Sequence, residues 1–294
     1  MKVLVAESSG VCFGVRRALD LLEESVEQAA LENEKVVMLG PLIHNPRVVD
    51  KYSQKGVHVV DAKSVPEKGV IVVRSHGVIK QTEDTLNKNQ ELKIVDTTCP
   101  YVKRIHQLVQ KKSSMGIAIV VMGDEDHSEV KGITSRIEGP FLVIAPELEE
   151  DALETLRDFL ITNGRVFVVA QTTSRSANYK KLVKEIKKVF PDRKKVDVSQ
   201  TICSATLKRQ DSARELASRV DAMVVVGGRN SSNTSKLFQL LKADKRDAFW
   251  VESPKDFSKD EIRELKTLPT VGITAGASTP DDQIMEMKEF LEKL

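Results

Sequence analysis

The sequence predicts an α/β protein made of three similar units, each built on a mostly parallel sheet. Apolar runs typical of strands alternate with amphipathic helical patterns, and these runs lack the polar alternation of a sheet with one solvated face. Related segments recur at a spacing of roughly 90 to 100 residues, which indicates an internal repeat. At 294 residues the chain is long enough for several domains of ordinary size.

The three cysteines mark the repeat most clearly. Each follows a predicted strand and opens a predicted amphipathic helix that carries a pair of basic residues in its first turns. The cysteine segments are GVCFGVRRALDLLEE, TTCPYVKRIHQLVQKK and TICSATLKRQDSARELA, preceded by the strands KVLVA, KIVD and KVDVS. Each cysteine is therefore expected at a turn from strand to helix.

Two further strands follow each cysteine helix. The first ends in a glycine before a polar loop, in VVMLGPLIHNPRVV, AIVVMGDEDHSEVKGI and MVVVGGRNSSNTSKL; the second lies in VIVVRSHGV, RVFVVAQTTSR and PTVGITAGASTPD. The repeat places the three units at residues 1–97, 98–197 and 198–294. Because loops at the carboxyl ends of parallel strands form the binding crevice of such sheets, the functional residues are expected there.

Composition and charge exclude several classes of protein. With 45 basic and 43 acidic side chains the net charge is +2, which argues against nonspecific nucleic-acid binding. The most basic run, YKKLVKEIKKVFPDRKK (179–195), is predicted to be an amphipathic helix with a solvated lysine face. No stretch has the features of a signal peptide or the ~18 consecutive apolar residues of a membrane span. We therefore expect a cytoplasmic protein that binds neither nucleic acid nor membrane.

The cysteines are candidates for metal ligands. Three widely spaced cysteines in a reducing compartment argue against a disulfide framework, and each taken alone is most simply a small buried side chain. If the three units pack around a pseudo-threefold axis, however, Cys12, Cys99 and Cys203 converge. Zinc sites use four ligands, commonly in close Cys-x-x-Cys pairs that the chain lacks, whereas thiolates also hold iron–sulfur clusters. A [4Fe–4S] cluster on three cysteines leaves one iron open as a Lewis acid.

The third unit contains a candidate anion site. RNSSNTSKL (229–237) offers hydroxyls, an amide and the N–H groups of a helix start, which suit a diphosphate, although a plain helix cap explains it equally well. Gly276 in AGAST allows close approach of backbone to a ligand or simply makes a turn. GxxxxGK[ST] and GxGxxG sequences do not occur, which disfavours nucleotide and dinucleotide sites.

Three histidines and one glutamate occupy corresponding loops. His44, His76 and His127 lie at predicted strand ends, whereas the other two histidines fall in a predicted strand and a predicted helix. A loop histidine taken alone is most simply structural, but three facing one crevice favour ligand contact and proton transfer. Glu129 is either a solvated carboxylate at a helix start or, beside a histidine and a cluster, a proton donor.

Nine motifs closely resemble, in order, those of the 4-hydroxy-3-methylbut-2-enyl diphosphate reductase (LytB-type) family. They are GVCFGVRRAL, GPLIHNPRVV, RSHGV, DTTCPYV, GDEDHSEVKG, AQTTS, TICSAT, GGRNSSNTSKL and GITAGASTPD, and the resemblance runs from Met1 to about residue 290. It implies three α/β lobes in pseudo-threefold arrangement around a central [4Fe–4S] cluster, one per chain. It also implies the reductive dehydroxylation of 4-hydroxy-3-methylbut-2-enyl diphosphate to isopentenyl and dimethylallyl diphosphates, the last step of the methylerythritol phosphate pathway.

The resemblance also implies the site residues. The cluster ligands would be Cys12, Cys99 and Cys203, and the catalytic residues Glu129 as the acid, His127 and Thr172. The substrate would be bound by His44, His76, His127, Thr172, Ser231, Ser232, Asn233 and Ser278. Ser128 stands where the family usually has proline, and Phe13 and Arg16 differ from its commoner CAGVDRA form, which affects the surroundings of Glu129 and the first helix rather than the chemistry.

Two other functions remain open at the level of sequence. A hydro-lyase of the aconitase type also uses an open iron held by three cysteines but needs no reductant. A non-catalytic cluster sensor would not need polar loops around one cavity. If the chain is a reductase, the absence of a flavin or nicotinamide motif predicts an external electron donor, a ferredoxin or a flavodoxin.

Overall fold

A computed structural model describes residues 1–192, 195–244 and 247–294. Within these ranges, strands and helices alternate from one end of the chain to the other. The strands are β1 (Lys2–Val5), β2 (Val36–Leu39), β3 (His58–Val60), β4 (Gly69–Val73), β5 (Leu92–Asp96), β6 (Ala118–Met122), β7 (Phe141–Ile144), β8 (Val166–Ala170), β9 (Val196–Val198), β10 (Ala222–Val226), β11 (Ala248–Val251) and β12 (Thr270–Ala275). The helices are α1 (Phe13–Glu32), α2 (Pro46–Gln54), α3 (Lys80–Lys88), α4 (Pro100–Ser113), α5 (Ser128–Thr134), α6 (Glu150–Asn163), α7 (Ser176–Val189), α8 (Ser204–Ala217), α9 (Ser232–Ala243), α10 (Lys259–Lys266) and α11 (Asp281–Glu292).

The described strands form three sheets of four strands each, and all neighbouring strands in them are parallel. Sheet I has the order β3-β2-β4-β5, sheet II the order β7-β6-β8-β9, and sheet III the order β11-β10-β12-β1. The three orders correspond strand for strand. The predicted α/β class with three similar parallel sheets is thereby confirmed.

The first strand of the chain closes the last sheet. Residues Lys2–Val5 pair in parallel with Thr270–Ile273. The strand that leads into a cysteine is therefore the same edge strand in every sheet: β5, β9 or β1. The predicted boundaries group residues 2–5 with residues 36–96, whereas the pairing puts their strand in the sheet of the third unit. The unit boundaries as a whole remain a prediction.

The chain divides into two compact bodies. The C-terminal body comprises Met1–Arg16, Ile43–Tyr52 and Ser204–Leu294 and contains sheet III. The central body comprises Arg17–Leu42 and Ser53–Cys203 and contains sheets I and II.

Apolar strands with helices on their faces explain the sheets. All residues of β6, β8 and β10 are buried, because valine, isoleucine and alanine point from these strands toward both faces. In the central body the core of sheet II joins Ile119, Val121 and Val169 to helix residues such as Ile105 and Ile133. The apolar runs that predicted parallel strands therefore form strands β6, β8 and β10, which are buried on both faces of their sheets.

The helices follow their predicted patterns. α7 buries one stripe of the basic run, with Tyr179, Leu182 and Ile186 inside, and it ends at Val189. The rest of the run includes residues 193 and 194, which lie outside the described residues. Among the residues that the structure describes, the helices are all too short or too polar to cross a bilayer.

Candidate functional site

The polar loops that follow β2, β6 and β10 begin in the same way. Each follows a glycine at the end of a sheet's second strand, and that glycine's N–H donates to the last carbonyl of the neighbouring edge strand. The bonds join Gly40 to Val60 (2.9 Å), Gly123 to Ile144 (3.0 Å) and Gly227 to Val251 (3.0 Å). The carboxyl ends of the sheets therefore carry the loops that sequence motifs marked as functional.

The three cysteines have equivalent backbone settings. Each is the residue directly before a helix (α1, α4 or α8), and each is partly exposed. Each cysteine N–H donates to the carbonyl that lies two residues beyond the adjacent inner strand. These bonds run from Cys12 to Ala277 (3.3 Å), from Cys99 to Ser75 (2.9 Å) and from Cys203 to Thr172 (3.1 Å). The predicted turn from strand to helix is confirmed at all three cysteines.

The setting of the thiols fits a group held by thiolates. A helix N-terminus favours an anionic group, and each of the three cysteines is partly exposed. The soft sulfur donors of Cys12, Cys99 and Cys203 are those that iron–sulfur clusters use. The repeated hydrogen bond gives the three side chains one common starting geometry, as equivalent ligands of one group require.

In the central body, Glu129 and Thr172 form a buried pair. Glu129 is fully buried, and its Oε1 accepts a hydrogen bond from the Thr172 N–H at 2.6 Å. Its Oε2 lies 2.8 Å from Thr172 Oγ1. The Thr172 carbonyl is the one that accepts from the Cys203 N–H. Three predicted site residues, two of them predicted catalytic, are therefore joined by one hydrogen-bond chain.

Helix α5 places His127 beside this pair. His127 is the N-cap residue of α5, and its Nδ1 accepts the Glu129 N–H at 3.1 Å. An accepting Nδ1 puts the proton of a neutral imidazole on Nε2. The ring of His76 meets that of His127 edge to face, with 5.5 Å between centroids. The structure therefore brings together His76, His127, Glu129 and Thr172.

His106 has a structural setting. It lies in α4 and is buried, and burial together with the charge of Arg136 lowers its pKa to about 3. A Cβ on Gly77, which follows His76 at φ +74°, would lie 3.1 Å from His106 Cε1. A Cβ on Gly132 of α5 would lie 3.3 Å from His106 Nε2. The ring therefore packs between the loop of His76 and the helix of Glu129.

In the C-terminal body, the loop after β12 contacts two further predicted residues, Asn233 and His44. The Ala277 N–H donates to Asn233 Oδ1 at 3.0 Å, and Ser278 Oγ donates to the His44 carbonyl at 3.1 Å. The Ala277 carbonyl accepts from the Cys12 N–H. This loop therefore joins Asn233, His44 and Ser278 to the cysteine segment of its own body.

The start of α9 is both a capped helix and a cluster of donors. Ser231 is the N-cap residue, and its Oγ accepts the Thr234 N–H at 3.3 Å. Ser231 and Asn233 are buried, whereas Ser232 is partly exposed. A Cβ on Gly276 would fall well inside contact distance of Thr234 Oγ1, so the glycine of AGAST is needed for packing against α9.

Sequence patterns missed one residue that supports this part of the site. Asn45 is buried, and its Nδ2 donates to the Ser278 carbonyl at 2.8 Å and to Gln283 Oε1 at 3.0 Å. Its Oδ1 accepts the Val48 N–H at 3.3 Å. Asn45 therefore links the loop of His44 to that of Ser278. Its position in IHNP, next to a predicted site histidine, was the available signal.

The sequence matches the model of a known protein family. The model of the family described as LytB protein matches residues 3–292. The chain belongs to the LytB protein family. Relatives of this LytB chain include a 4-hydroxy-3-methylbut-2-enyl diphosphate reductase of a Nitratiruptor species, 37% identical over 100% of this chain and 99% of the relative. A reductase of the same name from Clostridioides difficile (strain 630) is 38% identical over 100% of both chains.

Two solved structures of such reductases share the fold of this LytB chain. One is (E)-4-hydroxy-3-methyl-but-2-enyl diphosphate reductase, the terminal enzyme of the non-mevalonate pathway; it has a TM-score of 0.70 and 36% identity over 100% of both chains. The other is the E-1-hydroxy-2-methyl-but-2-enyl-4-diphosphate reductase of Plasmodium falciparum. It has a TM-score of 0.87 and 25% identity, covering 98% of this chain and 87% of that one. The predicted family and fold are confirmed.

Proposed function

We propose that this chain reduces (E)-4-hydroxy-3-methylbut-2-enyl diphosphate to isopentenyl diphosphate and dimethylallyl diphosphate. The observation that carries this function is the full-length identity of 37% and 38% to relatives that bear the reductase name. The reaction breaks the allylic carbon–oxygen bond and consumes two electrons and two protons. One proton leaves with the oxygen as water, and the other joins either end of the allyl unit, which gives the two products.

The cofactor that we propose is one [4Fe–4S] cluster per chain, held by Cys12, Cys99 and Cys203. When bound, such a cluster supplies electrons and an open iron that acts as a Lewis acid toward the substrate hydroxyl. The equivalent settings of the three cysteines support this assignment. The chain itself would supply the three thiolates of Cys12, Cys99 and Cys203.

Glu129 is our candidate for the acid that protonates the leaving oxygen. Hydroxide is a poor leaving group, so a proton must reach the oxygen as the bond breaks. The hydrogen bond between Glu129 Oε2 and Thr172 Oγ1 supports a relay in which Thr172 passes the proton on. His127, capped onto the Glu129 N–H, orients the start of α5, and His76 packs against it.

The diphosphate would bind in the C-terminal body. Ser231, Ser232 and Asn233 at the start of α9 offer neutral donors backed by a helix N-terminus, where anions are favoured. His44 and Ser278 lie in loops that are hydrogen-bonded to each other. This arrangement supports recognition of the diphosphate by uncharged donors and histidine.

The electrons would come from an external ferredoxin or flavodoxin. That partner, like a cytoplasmic location, is a proposal that rests on the sequence. The reductase names of the relatives do not favour a hydro-lyase or a non-catalytic sensor.

Anaerobic turnover tests the function directly. Purified protein with intact cluster is mixed with the allylic diphosphate, with and without dithionite and methyl viologen, and both products are measured. We expect products only when the reductant is present. Consumption of the substrate without reductant would point to a hydro-lyase. No consumption of the substrate under either condition would point to a sensor.

A further inference from the structure

The three cysteine segments differ two residues before the cysteine. Thr97 Oγ1 donates to the Val73 carbonyl at 2.5 Å, and Thr201 Oγ1 donates to the Ala170 carbonyl at 2.6 Å. Each hydroxyl ties its cysteine segment to the end of the adjacent strand. The equivalent residue before Cys12 is Gly10, which has no side chain and bonds the Ala275 carbonyl only through its N–H, at 3.4 Å.

The backbone at Gly10 explains why a threonine is not found there. Its φ is +76°, a backbone conformation that residues with a Cβ rarely adopt. A Cβ at this position would lie 2.8 Å from Ile284 Cδ1 and 3.1 Å from the Thr279 carbonyl oxygen. The Cys12 segment therefore needs an anchor from elsewhere in the chain.

Arg209 is in position to provide that anchor. It is buried, with 4% of its surface exposed, in helix α8 of the same body. Its Nη2 donates to the Gly10 carbonyl at 2.6 Å, and its Nη1 donates to the Ala205 carbonyl at 3.2 Å. One rigid guanidinium fork thus bridges the segment that leads to Cys12 and the first turn of the helix that begins after Cys203.

A related contact occurs in the central body. Arg17 of α1 directs Nη1 toward the Thr98 carbonyl at 3.5 Å, next to Cys99. In both cases a basic residue from the helix after one cysteine reaches a backbone carbonyl before another. Arg17 and Arg209, which belong to two of the three basic pairs that follow the cysteines, therefore have a structural use.

We propose that Arg209 is a positioning residue for Cys12. The inference rests on the proposed role of Cys12 as a cluster ligand, and it assigns Arg209 the task that threonine hydroxyls perform before Cys99 and Cys203. Arg209 holds the Gly10 carbonyl, which fixes the turn and therefore the direction of the Cys12 thiol. Without the guanidinium fork, the backbone bonds from Gly10 to Ala275 and from Cys12 to Ala277 remain to hold the Cys12 segment.

The test uses Arg209→Lys in the metal-free protein. Lysine keeps the positive charge but not the two-pronged geometry, so a change reports the freedom of the segment rather than a lost charge. Alkylation of each cysteine by iodoacetamide is followed by peptide mass spectrometry. We expect Cys12 to react faster, with Cys99 and Cys203 at wild-type rates. Arg214→Lys, the same change on the same helix at a more exposed ion pair with Asp244, is the matched control.

The second readout is iron release from the loaded protein to a ferrous chelator under anaerobic conditions. Residues that support metal ligands typically contribute about 10–100-fold to metal affinity, so we expect release to quicken by about tenfold in Arg209→Lys and not in Arg214→Lys. If Arg209→Lys fails to fold, Arg209→Gln is measured in the same way and must show the same quickened release.

Two results would overturn the proposal: Cys12 alkylation at the wild-type rate, or equal acceleration at all three cysteines, which would indicate general loosening. Neither measurement depends on turnover, so a failure of the proposed reductase activity would leave this test intact. Conversely, a wild-type alkylation pattern in an active reductase would overturn the positioning role of Arg209 and leave the proposed function standing.

Discussion

At the scale of the residue, both side-chain oxygens of Glu129 are hydrogen-bonded to Thr172, Oε1 to its N–H and Oε2 to its hydroxyl. Glutamine preserves this geometry, because its oxygen can accept the Thr172 N–H while its nitrogen donates to the hydroxyl, but it cannot release a proton. We expect Glu129→Gln to bind substrate normally and to turn over about 10²–10⁴-fold more slowly, the usual contribution of a positioned acid. Stopped-flow turnover at saturating reductant and calorimetric titration measure the two effects.

Glu125→Gln is the control for that variant, since Glu125 is exposed in the same loop. Near wild-type turnover of Glu129→Gln would mean that Glu129 is not the acid. His127 would then be the next candidate.

Asn233 can be tested with a change of one atom. Its Oδ1 is occupied as acceptor for the Ala277 N–H, so the amide nitrogen is the donor that it can offer a diphosphate. Asn233→Asp keeps the acceptor and replaces the donor with an anion. A hydrogen bond to a charged group contributes about 1.5–3 kcal/mol, so the affinity for the substrate should fall about 10- to 100-fold. Calorimetry of Asn233→Asp beside Asn230→Asp, an exposed neighbour, gives the comparison, and unchanged affinity would remove this loop from the site.

At the scale of the element, helix α5 begins with a serine in its first position. Ser128 Oγ is buried and, among the residues described, has no hydrogen-bond partner. Proline fits the first position of a helix, since its fixed φ suits the turn and its missing N–H costs nothing there. Ser128→Pro should therefore stabilise the protein by about 0.4–1 kcal/mol. A lower melting temperature in anaerobic thermal unfolding would contradict this.

Helix α4 gives the fold a dependence on pH through His106. Burial and Arg136 lower its pKa to about 3, with Asp96 acting in the opposite direction and Lys103 in the same one. The unfolded chain therefore binds a proton that the folded one excludes when the pH lies between that value and the ordinary histidine pKa of about 6.5. Stability from this group is complete above about pH 6.5 and falls by up to ~1.4 kcal/mol per pH unit below it.

Urea unfolding of the metal-free protein at about pH 6 and pH 4 measures that slope. His106→Gln should show a shallower loss of stability on acidification, whereas His58→Gln, an exposed change in β3, should match wild type. Equal slopes in all three proteins would show that His106 is not responsible.

The elements also show what local pattern can and cannot predict. Inner strands such as β6 and β8 are apolar on both faces, so the sequence predicts them well. The edge strands β7 and β11 were not predicted from the sequence. The cysteine turns and the polar loops could be placed from the sequence because each directly precedes a predicted helix or follows a predicted strand. Asn45 and Arg209 have partners 233 and 199 residues away, which no local pattern encodes.

At the scale of the whole molecule, the repeat runs cyclically through the chain. The strand before Cys99 belongs to sheet I, the strand before Cys203 to sheet II, and the strand before Cys12 to sheet III, which the two ends of the chain complete together. The N–H of each cysteine makes the equivalent backbone hydrogen bond, although Gly10 stands two residues before Cys12 where the other two segments have threonine. If the three cysteines are ligands of one cluster, they should then contribute equally to holding that cluster.

This equivalence predicts how the proposed cluster would be lost. Three single variants, Cys12→Ser, Cys99→Ser and Cys203→Ser, should each retain little iron after anaerobic reconstitution, because a cluster already short of a fourth protein thiolate cannot lose another without dissociating. Independent metal sites would instead lose about a third of the iron in each variant, an expectation that follows from three separate ligands. Iron and sulfide counts per chain separate the two cases. The three variants also control one another, since one that retained full iron would remove its cysteine from the ligand set.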